Sequence, residues 1–157
     1  MINVKETESS IQLLESFVSD CKFDNRLISL GSDTTLTNNL EVSVSNQIFN
    51  SDKTFRLGYV RIIVSGRLEV EDNANAYCDY RLVVEGEFSV PSSVAEKEFS
   101  QLLWFNGSSV LYGIARAKME VLSSMMFNSG KITLPMVNMI EFLKKQAVGK
   151  TPSSQTE

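Results

Sequence analysis

Two runs of alternating polarity, separated by a polar turn, constrain this chain more than any other feature. Within residues 60–70, Val60, Ile62, Val64, Leu68 and Val70 share one parity. Arg61, Arg67 and Glu69 take the other, joined by Glu71 just beyond. Within residues 77–90, Tyr80, Leu82, Val84, Phe88 and Val90 oppose Arg81, Glu85 and Glu87. A period of two over such lengths means strands with one apolar and one charged face. The apolar face of a sheet is stable only against a second layer, which the rest of the chain must supply.

Two more strands precede these. Ile11, Leu13, Phe17, Cys21 and Phe23 share a parity, which predicts a strand over 11–23. LEVSVSN at 40–46 alternates Leu40, Val42 and Val44. Residues 24–39 are turn-rich and irregular, 50–53 (NSDK) form a turn and 71–76 (EDNANA) a loop. Phe55–Val70 and Tyr77–Val90 are the long strands, and Pro91 ends the second. Four successive strands predict an antiparallel meander or a close variant.

The second layer lies in the C-terminal half. Ser93 with Glu96 resembles a capping box for a helix that runs to about Phe105. Asn106-Gly107 reads as a break, and Ser108 or Ser109 as the cap of a long helix that ends at Gly130. Asn106-Gly107-Ser108 also fits a glycosylation pattern, for which the helix break is the simpler reading. Pro135 suits the first turn of a last helix beginning at Met136. The long helix carries two apolar stripes. One is Val110, Ile114, Ala117, Val121 and Met125; the other is Leu111, Ala115, Met119, Leu122 and Met126. One helix on one sheet needs only one stripe, so the second stripe predicts contact with another subunit, through Leu111, Met119, Leu122 and Met126. Arg116 faces either a buried carboxylate or solvent. The fold class expected is α+β, a four-stranded antiparallel sheet with helices on one face. The domain spans 11–147, between a flexible N-terminus (1–10) and a polar C-terminal tail (148–157).

The composition narrows the chemistry. The chain has 157 residues, 43% hydrophobic and 22% charged, with net charge −4. A mildly acidic chain lacks the clustered Lys and Arg that grip a phosphate backbone. No apolar run reaches bilayer-spanning length, and no basic-then-apolar leader opens the chain, so the protein reads as cytoplasmic. There are no histidines. That removes Ser-His and Cys-His nucleophile pairs and imidazole-bound zinc. Cys21 and Cys78 are far apart and in no CxxC, and read as small strand residues rather than a disulfide or a metal pair. No phosphate-cradling glycine loop is present, and no cofactor or metal is expected.

Glu85 with Glu87, and Glu69 with Glu71, are carboxylate pairs on single strand faces. Such pairs serve acid–base catalysis when burial raises one pKa; on the charged face of a sheet they read instead as a solvated surface or an acidic docking site. A small carboxylate-based enzyme or ligand-binding domain is the alternative from that chemistry. Five of the six methionines, Met119, Met125, Met126, Met136 and Met139, lie in the helical half. Methionine adapts to varied apolar partners, which favours a promiscuous binding groove over catalysis.

Several stretches, taken in order, resemble the SecB family of bacterial protein-export chaperones. These are IQLLESFVSDCKFD at 11–24, LEVSVS at 40–45, GEFSV at 86–90, the long helix at 108–130 with Ala115-Arg116, and Leu134-Pro135 before the last helix. The resemblance spans residues 11–146. It implies a homotetrameric, ATP-independent holdase that keeps unfolded clients extended in long apolar grooves. Leu40, Val42, Val44, Met136, Met139, Phe142 and Leu143 are the client-binding residues expected. It also implies docking of the basic, zinc-bearing tail of the ATPase SecA on the outer sheet face, at Asp20, Asp24 and Asp79. Clients would be preproteins on their way to export or, as with divergent SecB-like proteins, an antitoxin. Gly107-Ser108-Ser109 and Gly113 stand where the family has Cys-Pro-Asn and a second proline. Asp79 and Arg81 stand where it has an apolar and an acidic residue.

Overall fold

The computed structural model describes residues 9–26, 28, 35–49, 54–71 and 73–148. The flexible N-terminus expected at 1–10 lies largely outside the described residues, as do the tail from 149 on, the turn at 50–53 and much of 24–39.

Four strands form one antiparallel sheet: β1 (Gln12–Arg26), β2 (Leu36–Phe49), β3 (Phe55–Val70) and β4 (Asn73–Pro91). Their spatial order is β1-β4-β3-β2. The last three strands form the meander expected, but β1 pairs with β4 rather than β2, which makes a Greek key. Three strands are longer than the alternation marks. β1 continues to Arg26, β2 takes in 36–39 and 47–49, and β4 begins at Asn73 inside the predicted loop.

Two register shifts in β1, between Leu13 and Glu15 and between Val18 and Asp20, alter its parity. Leu13, Val18, Cys21 and Phe23 pair with Phe88, Val84, Leu82 and Tyr80 and share their inner face. Phe17 pairs with Glu85 and faces outward, half exposed. The single parity read for Leu13, Phe17 and Cys21 is therefore broken by bulges, each of which inserts one residue and reverses the pleat.

The inner faces of β3 and β4 bear the core. Val60, Ile62, Val64, Leu82, Val84 and Phe88 are buried under Phe99, Leu103, Leu111, Ala115 and Met119. These last five belong to one continuous helical rod: α1 (Glu96–Leu102), a π-helical turn (Leu103–Gly107) and α2 (Ser108–Met126). The break expected at Asn106-Gly107 does not occur. Phe99, Leu103, Gly107, Leu111, Ala115 and Met119 recur every four residues, and all are buried. In an ideal α-helix that row drifts by about 40° per step; the wider π turn takes back part of the drift. Glycines let the rod lie close. A Cβ on Gly58 would stand 2.6 Å from Leu103 Cδ2, and one on Gly86 would stand 2.9 Å from Leu111 Cδ1.

The helix ends differ from expectation. Ala95 precedes α1 with no side-chain cap, and Ser109 Oγ donates to the Phe105 carbonyl, 2.6 Å, within the rod. α2 ends at Met126, where Phe127 turns extended, and Gly130 takes its positive φ in the turn beyond. The last helix, α3 (Met139–Val148), starts after Asn138, whose Oδ1 accepts the Glu141 amide; Pro135 lies in the extended segment before it. That segment is lashed to α2. Tyr112 donates to the Pro135 carbonyl, Arg116 to the Leu134 carbonyl, and the Ile132 amide donates to Ser123 Oγ. Arg116 thus serves backbone, not a carboxylate.

Candidate polypeptide-binding surface

The rod covers the middle of the sheet and leaves the inner faces of both edge strands partly open. At the β2 edge, Leu36, Leu40, Val42 and Ile48 are half-buried, while Val44 is buried opposite Ile62. In the C-terminal segment, Met136 is 87% exposed and lies with Val137 beside Ser109, Gly113 and Arg116 of α2; Ile140 is exposed, and Val137 and Phe142 are half-buried. Met139 and Leu143 are core residues. Of the seven client-binding residues expected, Leu40, Val42, Met136 and Phe142 offer surface. Val44, Met139 and Leu143 hold the fold, because a side chain under 5% exposed has no face left for a ligand. Ile140 joins the set unforeseen; it follows buried Met139 on the next helical position and so points away from the core.

The other edge presents a straighter apolar surface. The stripe Val110, Ile114, Val121 and Met125 of α2 runs beside the inner face of β1, roughly 22 Å from end to end. Val110 and Val121 are exposed and Met125 is 77% exposed. One hollow of about 320 Å³ lies between Ile11, Leu13, Gly107 and Val110. Another of about 340 Å³ lies between Cys21, Phe23, Leu122 and Met125. This reverses the stripes. Leu111 and Met119, expected at a subunit interface, are fully buried on the chain's own sheet; Leu122 is half-buried and Met126 is exposed at the helix end. Both stripes are apolar, so composition could not say which one faces the sheet.

The outer face is charged, and several of its charges pair with one another. Asp20 accepts from Arg81 at 3.0 Å and Asp24 from Arg26 at 3.1 Å. Asp79 is held by a two-pronged contact from Arg67, 2.6 and 2.7 Å, and Arg67 also lies 4.4 Å over the Tyr77 ring. The hydrogen bond from Arg67 lowers the Asp79 pKa. Glu85 pairs with Arg61 and accepts the Tyr59 hydroxyl; burial, then that bond, pushes the Tyr59 pKa up to about 12. Every predicted docking carboxylate therefore already has a cation.

The same pairing bears on catalysis. Glu85 is engaged by Arg61 and Tyr59, and neither it nor Glu87 lines the two hollows beside β1. Among the described residues no three His, Cys, Asp or Glu come together as metal ligands. Cys21 and Cys78 are both free. Burial pushes the Cys78 thiol up to about 11, and burial with nearby Asp20 raises Cys21. No helix among the described residues is long and apolar enough to cross a membrane.

The chain matches no protein-family model and no curated protein. Among solved structures it is similar to the SecB-like chaperone of Mycobacterium tuberculosis in complex with a ChAD peptide from the HigA1 antitoxin. The TM-score is 0.58 at 13% identity, covering 81% of this chain and 90% of that one. A protein of unknown function from Streptococcus agalactiae is similar at TM-score 0.42 and 14% identity, over 80% of this chain and 97% of that one; a score so low supports nothing further. The fold is thus SecB-like: a four-stranded antiparallel sheet with a long helix packed across one face.

Proposed function

We propose that this protein is a cytoplasmic, ATP-independent holdase without enzymatic activity. It binds unfolded polypeptide on the surface formed by the β2 edge and the segment around Met136 and Ile140. The observation that carries this reading is the incomplete cover of the sheet's inner face at β2, where Leu36, Leu40, Val42 and Ile48 stay only half-buried, in a chain whose helical layer also exposes Met136 and Ile140. Each client side chain buried there gains roughly 1.5–3 kcal/mol before the client's ordering cost. Several weak contacts along one surface then give useful avidity. The straight stripe of α2 beside β1 is assigned to self-association, since two copies of one regular surface can meet about a twofold axis; a tetramer is the assembly expected.

The client class favoured is an antitoxin-like tail. The structural neighbour holds an antitoxin peptide, and the carboxylates Asp20, Asp24 and Asp79 expected to dock SecA are already paired with arginines. Delivery of preproteins for export is the second reading. Calorimetry without nucleotide, using an unfolded antitoxin tail, an unfolded preprotein and a SecA tail peptide, tests both. Binding of the antitoxin tail alone supports the first reading. Binding of preprotein and SecA tail supports export. Binding of neither unfolded chain refutes the holdase.

A further inference from the structure

β2 is an edge strand without the usual protection. It pairs with β3 at every residue from Leu36 to Phe49 with no register shift. Among the described residues, none of its backbone groups bonds to anything beyond β3. Edge strands are normally blunted by shortness, proline, lysine or bulges. β2 is 14 residues long, contains no proline or lysine, and has Glu41 as its one charge. The opposite edge differs. β1 carries two register shifts and five charged residues, Glu15, Asp20, Lys22, Asp24 and Arg26.

We propose that the open edge of β2 receives the client as a fifth strand. This rests on the holdase reading and specifies how the client is held. Among the described residues the outward N–H and C=O groups of β2 have no partner, and a row of such groups roughly 46 Å long is matched by an extended backbone. Alternate side chains of the added strand then continue the inner-face row of Leu36, Leu40, Val42 and Ile48, and those must be apolar. A hollow of about 530 Å³ between Ile48 and the Lys97–Gln101 side of α1 receives one of them. The other parity faces outward, where a hollow of about 490 Å³ beside Asn39, Glu41 and Ser65 is polar. Glu41 forms no ion pair among the described residues, whereas its neighbours Arg67 and Asp79 hold each other. The client is therefore an extended segment with alternating apolar residues and a Lys or Arg on its outward parity.

The test uses the full chain and three labelled 12-residue peptides. The parent alternates Val or Leu with Thr and carries one Lys; the other two are methylated on backbone nitrogen at even or at odd positions. Strand addition predicts that one methylated peptide loses at least tenfold in affinity, since its ladder donors are gone, while the other binds like the parent. It also predicts that alternate amides of β2 exchange at least tenfold more slowly in the complex. Glu41→Lys should weaken the Lys-bearing peptide by about fivefold at most, in a salt-dependent way. If the two methylated peptides behave alike, the inference is wrong. It is also wrong if the parent fails to bind while an unfolded client still does, which leaves the holdase reading standing; if neither binds, both fall. Protection of alternate β2 amides that grows with protein concentration alone would mean a second copy occupies the edge, and would overturn the inference as well.

Discussion

Arg81 on β4 reaches across to Asp20 on β1, its Nε 3.0 Å from Oδ2. The resemblance read from the sequence implies an acidic residue at the Arg81 position; here an arginine stands there and forms half of an ion pair. A basic peptide that approaches Asp20 meets the positive charge of Arg81 and competes with it for the carboxylate. Exposed pairs are worth about 0–1 kcal/mol, so the barrier is modest and its removal measurable. Arg81→Ala should strengthen binding of a SecA-like basic tail at low salt and change stability by less than about 1 kcal/mol. Unchanged affinity in that variant would show that pairing is not what limits docking.

The reversed helix stripes separate two classes of variant. Met119 is fully buried on the sheet, and a charge placed there without a partner costs several kcal/mol. Met119→Glu should therefore unfold the chain, seen as lost circular dichroism. Val121→Glu with Met125→Glu alters exposed positions and should leave the fold intact. Light scattering should then show smaller particles than wild type. A monomeric wild type, or a double variant of unchanged size, would count against self-association through this stripe.

Much of this architecture is legible in the residue pattern alone. The alternation of Val60, Ile62 and Val64 with Arg61, and of Leu82 and Val84 with Arg81, points to the face of β3 and β4 that meets the helices, although Ile63 and Val83 interrupt it and Val83 is buried on the outer parity. What stays hidden has physical causes. Bulges at Leu14 and Ser19 are silent in a residue pattern yet turn Phe17 outward. The π turn at Asn106-Gly107 mimics a helix break, although the four-residue spacing from Phe99 to Met119 is a sign of continuity. The surface residues are least legible. Leu143 and Ile140 are alike in chemistry, and only the packing of α3 decides that one is core and the other exposed.

The contact between Arg67 and Asp79 has a pH signature. The folded-state pKa of Asp79 is lowered by its hydrogen bond from Arg67. Its stabilisation is therefore present above the unfolded carboxylate value and lost as pH falls through the folded one. Arg67→Gln should be less stable than wild type near neutral pH, and the difference in urea midpoint should shrink towards zero as the pH falls below the ordinary carboxylate range. A constant difference from neutral pH to acid would assign the effect to the stacking of Arg67 on Tyr77 instead.

As a holdase, this protein would hold unfolded chains on the open inner face at β2 and the Met136–Ile140 surface. The most direct measurement is the aggregation of a chemically unfolded, apolar-rich client diluted into buffer without nucleotide. It should be followed with wild type and with Leu40→Asp/Val42→Asp, the variant first shown to keep its circular dichroism and particle size. Wild type should delay aggregation at near-stoichiometric amounts, and the double variant should lose most of that protection. Full protection by a folded double variant, or none by wild type, would contradict the account.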